Sequence, residues 1–180
     1  NNWENTGFNF NQEILAELMK EAKHLGVDMF LLDDGWFANK YPRKDDHAGL
    51  GDWDVNHNKL PGGIPALVKA AKDADVKFGI WIEPEMVSED SDLYRKHPDW
   101  AVRIPGQEHA LGRNQMVLDL TREEVRNYII ESMSDVFSRG KVDYVKWDMN
   151  RNLSDYYSQG LAPRHQGEFA HRYILGLYQV

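Results

Sequence analysis

The chain has no cysteine. That single absence removes disulfide scaffolds, thiolate metal sites and cysteine nucleophiles together. It also suits a reducing compartment, so a cytoplasmic protein is expected. Long apolar runs are missing too. The stretch Val27–Leu32 is typical of the longest, far short of the ~20 residues that span a bilayer, so no membrane partner is expected. Basic excess is absent, with 21 Lys and Arg against 29 Asp and Glu for a net charge of -8, and nucleic acid is not an expected partner. Neither G-x-G-x-x-G nor G-x-x-x-x-G-K occurs, and the seven histidines show no H-x-x-x-H or H-E-x-x-H spacing, so the sequence implies no nucleotide cofactor and no metal. Asn1–Phe10 lacks the basic flank of a signal peptide, and a start at Asn rather than Met suggests a chain that has been cut.

What is present is enough apolar material for a sizeable core: 42% hydrophobic residues in 180, read as one domain over residues 1–180. Asn11 is placed as an N-cap, followed at helical spacing by Ile14, Leu15, Leu18, Ala22 and Leu25, with Gly26 as the stop. Val27–Leu32 then reads as a strand covered on both faces, running into Asp33-Asp34-Gly35-Trp36 and a long polar loop over residues 35–60. The pattern recurs. Ile64, Leu67, Val68 and Ala71 mark a helix, Val76–Ile82 a strand, and Pro84 ends it. Thr121 and Glu124 have capping-box spacing ahead of a helix carrying Val125, Tyr128, Ile129, Met133, Val136 and Phe137, and Val142–Trp147 is the next strand before a last helix over Phe169–Tyr178.

Strand and helix alternating without hairpin signals imply βαβ units and a parallel sheet. With Asn1–Trp3 counted as the stub of a first strand, the chain holds four β-then-α modules. The fold class expected is α/β, a TIM-barrel type parallel (β/α)4 half barrel with long βα loops, because a full eight-module barrel takes about 250 residues. In such barrels the polar working residues sit at the carboxyl ends of strands, where Trp3, Asp33, Asp34, Glu83, Glu85, Asp148 and Asn150 all fall.

Side chains alternate along a strand, so Lys146, Asp148 and Asn150 share one face. An ammonium beside Asp148 lowers its pKa, which suits a nucleophile or an oxocarbenium stabiliser; a structural ion pair at a strand end reads the same way. Asp33 and Asp34 are adjacent acids that repel unless cations or hydroxyl donors compensate, or else they form an Asx turn. Trp81 is either a stacking platform for a pyranose ring or a core indole. Arg113, in a Gly-Arg-Asn loop, is either a donor to a ligand oxygen or a solvated arginine.

The strings Asn2-Trp3-Glu4, Leu31-Leu32-Asp33-Asp34-Gly35-Trp36-Phe37, Gly51-Asp52-Trp53, Gly79-Ile80-Trp81-Ile82-Glu83-Pro84-Glu85-Met86-Val87, Val117-Leu118-Asp119-Leu120 and Lys146-Trp147-Asp148-Met149-Asn150-Arg151 resemble the microbial α-galactosidases of glycoside hydrolase family 36. The resemblance spans essentially the whole chain. It implies a retaining hydrolase of terminal α-galactosides such as melibiose and raffinose, built on a (β/α)8 barrel without a cofactor. By that resemblance Asp148 is the nucleophile. Asp33 and Asp34 bind the galactose O4 and O6 hydroxyls, Lys146, Arg113 and Asn150 hold further hydroxyls, and Trp3 and Trp81 wall the subsite.

One partner group is missing. A retaining glycosidase needs a second carboxyl about 5 Å from the first, and in the family this acid/base Asp lies in a later motif, beyond residue 180. Four strands without neighbours leave open sheet edges, from which a homo-oligomer pairing half barrels is expected. A self-associating half barrel that binds galactose without efficient catalysis is the alternative reading.

Overall fold

A computed structural model describes residues 1–180. In chain order the elements are α1 (Trp3–Thr6), α2 (Gln12–His24), β1 (Met29–Leu32), α3 (Gly63–Asp73), β2 (Lys77–Ile82), β3 (Met86–Ser88), α4 (Asp92–Lys96), a 3-10 turn (Pro98–Trp100), β4 (Gln115–Val117), α5 (Glu123–Ser138), β5 (Tyr144–Trp147), a second 3-10 turn (Pro163–Glu168) and α6 (Phe169–Leu177). No helix is long and apolar enough to cross a membrane.

The parallel sheet has three strands in the order β1-β2-β5. Met29 pairs with Lys77 and Leu32 with Ile80, while Trp81 pairs with Lys146 and Ile82 with Trp147. This register brings the residues after β1, β2 and β5 to one end of the sheet. β2 is central and buried on both faces from Phe78 to Ile82, which explains its unbroken apolar run. Gly79 at its middle is required by close approach, since a Cβ there would stand 2.9 Å from Leu31 Cδ1 and 3.3 Å from the Tyr144 carbonyl oxygen.

Helices α2 and α3 pack on each other and α3 on β2. Asn11 caps α2 as the sequence predicts, its Oδ1 accepting from Ile14 N at 2.9 Å, and Gly26 follows the helix at a φ of 79°. Helix α5 buries Val125, Ile129, Met133 and Val136 at spacings of four, four and three, one face of a helix. At about 1.5–3 kcal/mol for each such side chain, burial of this face rather than helix propensity holds α5 in place.

Two expectations are corrected. Asn1–Trp3 is not a strand stub, because Trp3–Thr6 is a helical turn whose Gly7 N–H reaches Trp3 O, so three parallel strands stand where four modules are expected. A second, antiparallel sheet is present instead: β3 pairs with β4 through Met86–Val117, Val87–Met116 and Ser88–Gln115. The capping box at Thr121 does not form. Helix α5 begins at Glu123 with Arg122 at the N-cap and no side-chain cap, one residue after Thr121, whose hydroxyl and amide both donate to Asp119 Oδ1 at 2.6 and 3.0 Å. The third parallel strand, β5, forms an edge, with Tyr144 50% exposed.

Candidate active site

The carboxyl ends of the three parallel strands carry Asp33 and Asp34 after β1, Glu83 and Glu85 after β2, and Lys146, Asp148 and Asn150 at the end of β5. Alternation along β5 sends Lys146 and Asp148 to one side and Trp147 to the other, where its Nε1 donates to Glu85 Oε2 at 2.9 Å.

Asp148 is the best supplied with donors. Its Oδ2 accepts from Trp81 Nε1 at 3.0 Å and from Asn150 Nδ2 at 2.9 Å, and its Oδ1 accepts from Met149 N at 3.0 Å. Lys146 Nζ lies 4.0 Å from Oδ2. Partial burial works against the charge, but the Trp81, Asn150 and Met149 hydrogen bonds, with Lys146 behind them, outweigh it and hold the carboxyl below its ordinary range. A carboxylate that stays ionised while 30% exposed is available to an electrophile.

Asp33 and Asp34 divide their compensation between two cations. Lys146 Nζ is 3.3 Å from Asp33 Oδ2, so one ammonium bridges the acids after β1 and β5. Asp34 takes a forked contact from Arg43, with Nε at 3.1 and 3.2 Å and Nη2 at 2.9 Å. Arg43 is wholly buried. Burial still pushes the Asp34 carboxyl above its ordinary range against the pull of Arg43, helped by Asp46 and Asp33 nearby. The Asp33 amide is fixed by Asn2 Oδ1 at 2.9 Å, which ties the start of α1 to the end of β1.

Arg113 stands at one edge of this cluster. It grips Asp46, with Nη2 to Oδ1 at 2.9 Å, and Asp46 in turn contacts Arg43 Nη2 at 3.3 Å, giving a relay Arg113–Asp46–Arg43–Asp34. Arg113 and Asn114 adopt φ of 50° and 58°, two consecutive left-handed residues that are not glycine. Such conformations cost of order 1 kcal/mol or more each and persist where the surroundings dictate them.

Of the two tryptophans, Trp81 takes the core reading and Trp3 lies away from a strand end. Trp81 is 1% exposed and lies parallel to Phe37 at 6.2 Å within a cluster that includes Trp36 and Trp53, so its ring face is covered and only its N–H edge serves the carboxylates. Trp3 sits on α1, half-buried and edge-on to Phe8 at 5.0 Å. It reaches the cluster through its neighbour Asn2 and not from a strand end.

Three residues of this end were missed in the sequence. Arg43 is hidden in the charged string Pro42-Arg43-Lys44-Asp45-Asp46, where no periodicity marks it as buried. Lys59 donates to the carbonyls of Phe8, Gly35 and Arg43 at 2.8, 2.9 and 3.3 Å, closing the turn after Asp34, and burial lowers its pKa to about 8. Gln115 reaches Glu83 Oε2 at 3.4 Å from β4, a strand no local pattern announces. No group of three or more His, Asp or Glu side chains is arranged to hold a metal ion. The opposite end of the sheet has a groove lined by Lys72, Lys77, Lys141, Asp28 and Asp143, a mixed-charge surface without buried carboxyls.

The Melibiase family matches residues 1–180. Alpha-galactosidase 1 of Pediococcus pentosaceus is 51% identical over 180 residues, which cover 100% of this chain and 24% of that protein. The crystal structure of the GH36 alpha-galactosidase AgaB from Geobacillus stearothermophilus superposes with a TM-score of 0.95 at 50% identity, over 99% of this chain and 24% of that one. A variant of AgaA from the same organism, solved in complex with raffinose, superposes with a TM-score of 0.94 at 48% identity, over 98% of this chain and 24% of that one. The chain thus spans about a quarter of the length of the relatives it matches. A match over its whole length, with α-galactosidases at about half identity, shows that the chain belongs to the Melibiase family.

Proposed function

We propose that residues 1–180 supply the nucleophile side of a retaining α-galactosidase active site, as one domain that forms part of a (β/α)8 barrel. The observation that carries this reading is the Asp148 carboxylate, kept ionised by Trp81 Nε1, Asn150 Nδ2 and Met149 N at the end of β5, with Asp33 and Asp34 close by. The substrates are terminal α-D-galactosides of the melibiose and raffinose type. The raffinose complex of the AgaA variant supports that class.

Asp148 attacks the anomeric carbon as the glycosidic bond breaks, giving a covalent galactosyl ester. A second carboxyl, beyond these 180 residues, protonates the departing oxygen and then takes a proton from the water that hydrolyses the ester. Ground-state fixation of Asp148 by three donors keeps it oriented for attack and keeps its proton off. Asp33 and Asp34 each retain lone pairs beyond their contacts with Lys146 and Arg43, and accept from the sugar O4 and O6 hydroxyls. Lys146, Arg113 and Asn150 donate to further ring oxygens. Trp3 lies at the rim, and Trp81 acts through its N–H.

An activated aryl α-galactoside tests the reading, because its leaving group needs little protonation. Hydrolysis by the chain that Asp148→Asn abolishes is expected. No turnover at any protein concentration, or turnover that survives the substitution, overturns it.

A further inference from the structure

Glu83 is absorbed by none of these roles. It is 0% exposed, so it is closed to a sugar and to a leaving group. Its Oε1 accepts the main-chain N–H of Asn150, and its Oε2 faces Gln115 Nε2 at 3.4 Å. Asn150 is the residue whose side chain donates to Asp148 Oδ2 at 2.9 Å. The backbone of Asn150 is therefore held by one carboxyl while its side chain holds another.

We infer that Glu83 is a positioning residue for Asp148: its buried carboxyl fixes the Asn150 main chain and through it the turn that binds the Asp148 carboxylate. The inference rests on the proposed role of Asp148 and deepens it.

Charge placement supports the neutral form. The ionisable groups that act most strongly on Glu83 include Asp148 beyond β5 and Asp34 beyond β1, and Arg113 ahead of β4, which also feels Glu83, is already engaged by Asp46. An ionised Glu83 would stand buried and unpaired beside two carboxylates, an arrangement that raises the cost of ionising any of them. Burial first, and then Asp148 and Asp34, push its pKa up to about 7, although the Asn150 N–H pulls the other way. Gln115, itself 0% exposed, keeps an Oε1 with no partner. A carboxamide carries both an acceptor oxygen and a donor nitrogen, so Gln115 is able to accept a hydrogen bond from the protonated Glu83 carboxyl or donate one to its ionised form. Glu83 thereby links β4 of the antiparallel pair to the end of β5.

The test is nuclear magnetic resonance on the isotopically labelled chain, which needs no turnover and so separates this inference from the fate of the hydrolase reading. The Asn150 amide proton should shift in a single step with a midpoint near pH 7, the value to which Glu83 is raised. Glu83→Gln keeps the acceptor and removes the proton, so the Asn150 amide should stay in its bonded position and lose that step. In Glu83→Ala the amide should leave the bonded position, and the Asp148 carboxyl carbon should titrate at higher pH than in the native chain. At that pH Glu83 is neutral in the native chain, so the change reports lost positioning and not lost charge. Glu83→Gln should restore the native Asp148 midpoint. An Asn150 amide that does not move between pH 5 and 9, or one that still titrates in Glu83→Gln, overturns the inference even if Glu83→Ala fails to fold.

Discussion

Trp81 Nε1 donates to Asp148 Oδ2 at 3.0 Å, so an indole buried under the sheet end fixes a carboxylate on the neighbouring strand. The bond crosses between β2 and β5, where Trp81 pairs in register with Lys146. Trp81→Phe keeps an aromatic ring at this position and removes the donor, at the cost of a small cavity. A hydrogen bond to a charged group contributes about 1.5–3 kcal/mol. The Asp148 carboxyl should therefore move up toward its ordinary value in the variant, read by carboxyl-carbon titration, and an unmoved midpoint would mean that the indole contributes nothing to the charge.

The forked Arg43–Asp34 pair predicts a large and asymmetric stability effect. Arg43→Ala leaves a buried carboxylate without its cation, and breaking such pairs costs about 3–5 kcal/mol. Arg43→Ala combined with Asp34→Ala should recover part of the loss, because no buried charge then remains. Urea unfolding of the two variants measures the difference, and equal stabilities would show that Asp34 finds another partner.

Glu83 gives the fold a pH dependence of defined sign. Its folded pKa of about 7 lies above the ordinary 4.5, so its contribution is fully present below pH 4.5 and is lost as pH rises to about 7. That shift corresponds to roughly 3 kcal/mol above pH 7. Glu83→Gln escapes the penalty and should melt higher than the native chain at pH 8, with the gap closing by pH 4.5. Thermal melts at the two pH values decide it, and a gap that widens in acid would reverse the sign.

The Asp148 carboxyl lies on the other side of this ledger. Its folded pKa is lowered, so its stability contribution is present above the unfolded value and lost as pH falls through the folded one. Asp148→Asn should accordingly lower stability at neutral pH more than in strong acid, by an amount that its partial exposure reduces. Unfolding curves at pH 7 and pH 3 compare the two.

Helix α6 carries a steric prediction. A Cβ at Gly176 would collide with the Leu120 carbonyl, which is backbone and has no rotamer to yield. Gly176→Ala should destabilise the chain by about 1–3 kcal/mol through overpacking, although alanine is the better helix former. A stabilised variant would mean that α6 slides freely over Leu120.

The main elements were legible because their physics is local. Apolar runs ending at Leu32 and Ile82, and the Val- and aromatic-rich segment ending at Trp147, marked the three parallel strands, and Asn11 marked the start of α2. The β3–β4 pair was not legible, since strands of three residues separated by α4 and a 3-10 turn leave no turn signature. The Thr121 box failed because α5 starts at Glu123 with Arg122 at the N-cap, which leaves Thr121 one position outside the helix. At the site, residue types at strand ends pointed to Asp33, Asp34, Lys146, Asp148 and Asn150, which the structure gathers. Composition contained no sign that Arg43 is buried or that Glu83 serves Asn150, because both depend on what lies across a turn.

The Lys146–Asp33 contact joins residues 113 positions apart. Ordering of those two side chains must therefore wait until β1, β2 and β5 have come together, long after α2 or α5 can coil from local contacts. The cluster of carboxylates is a late product of folding. A sugar that engages it would slow unfolding and leave the earliest folding steps untouched.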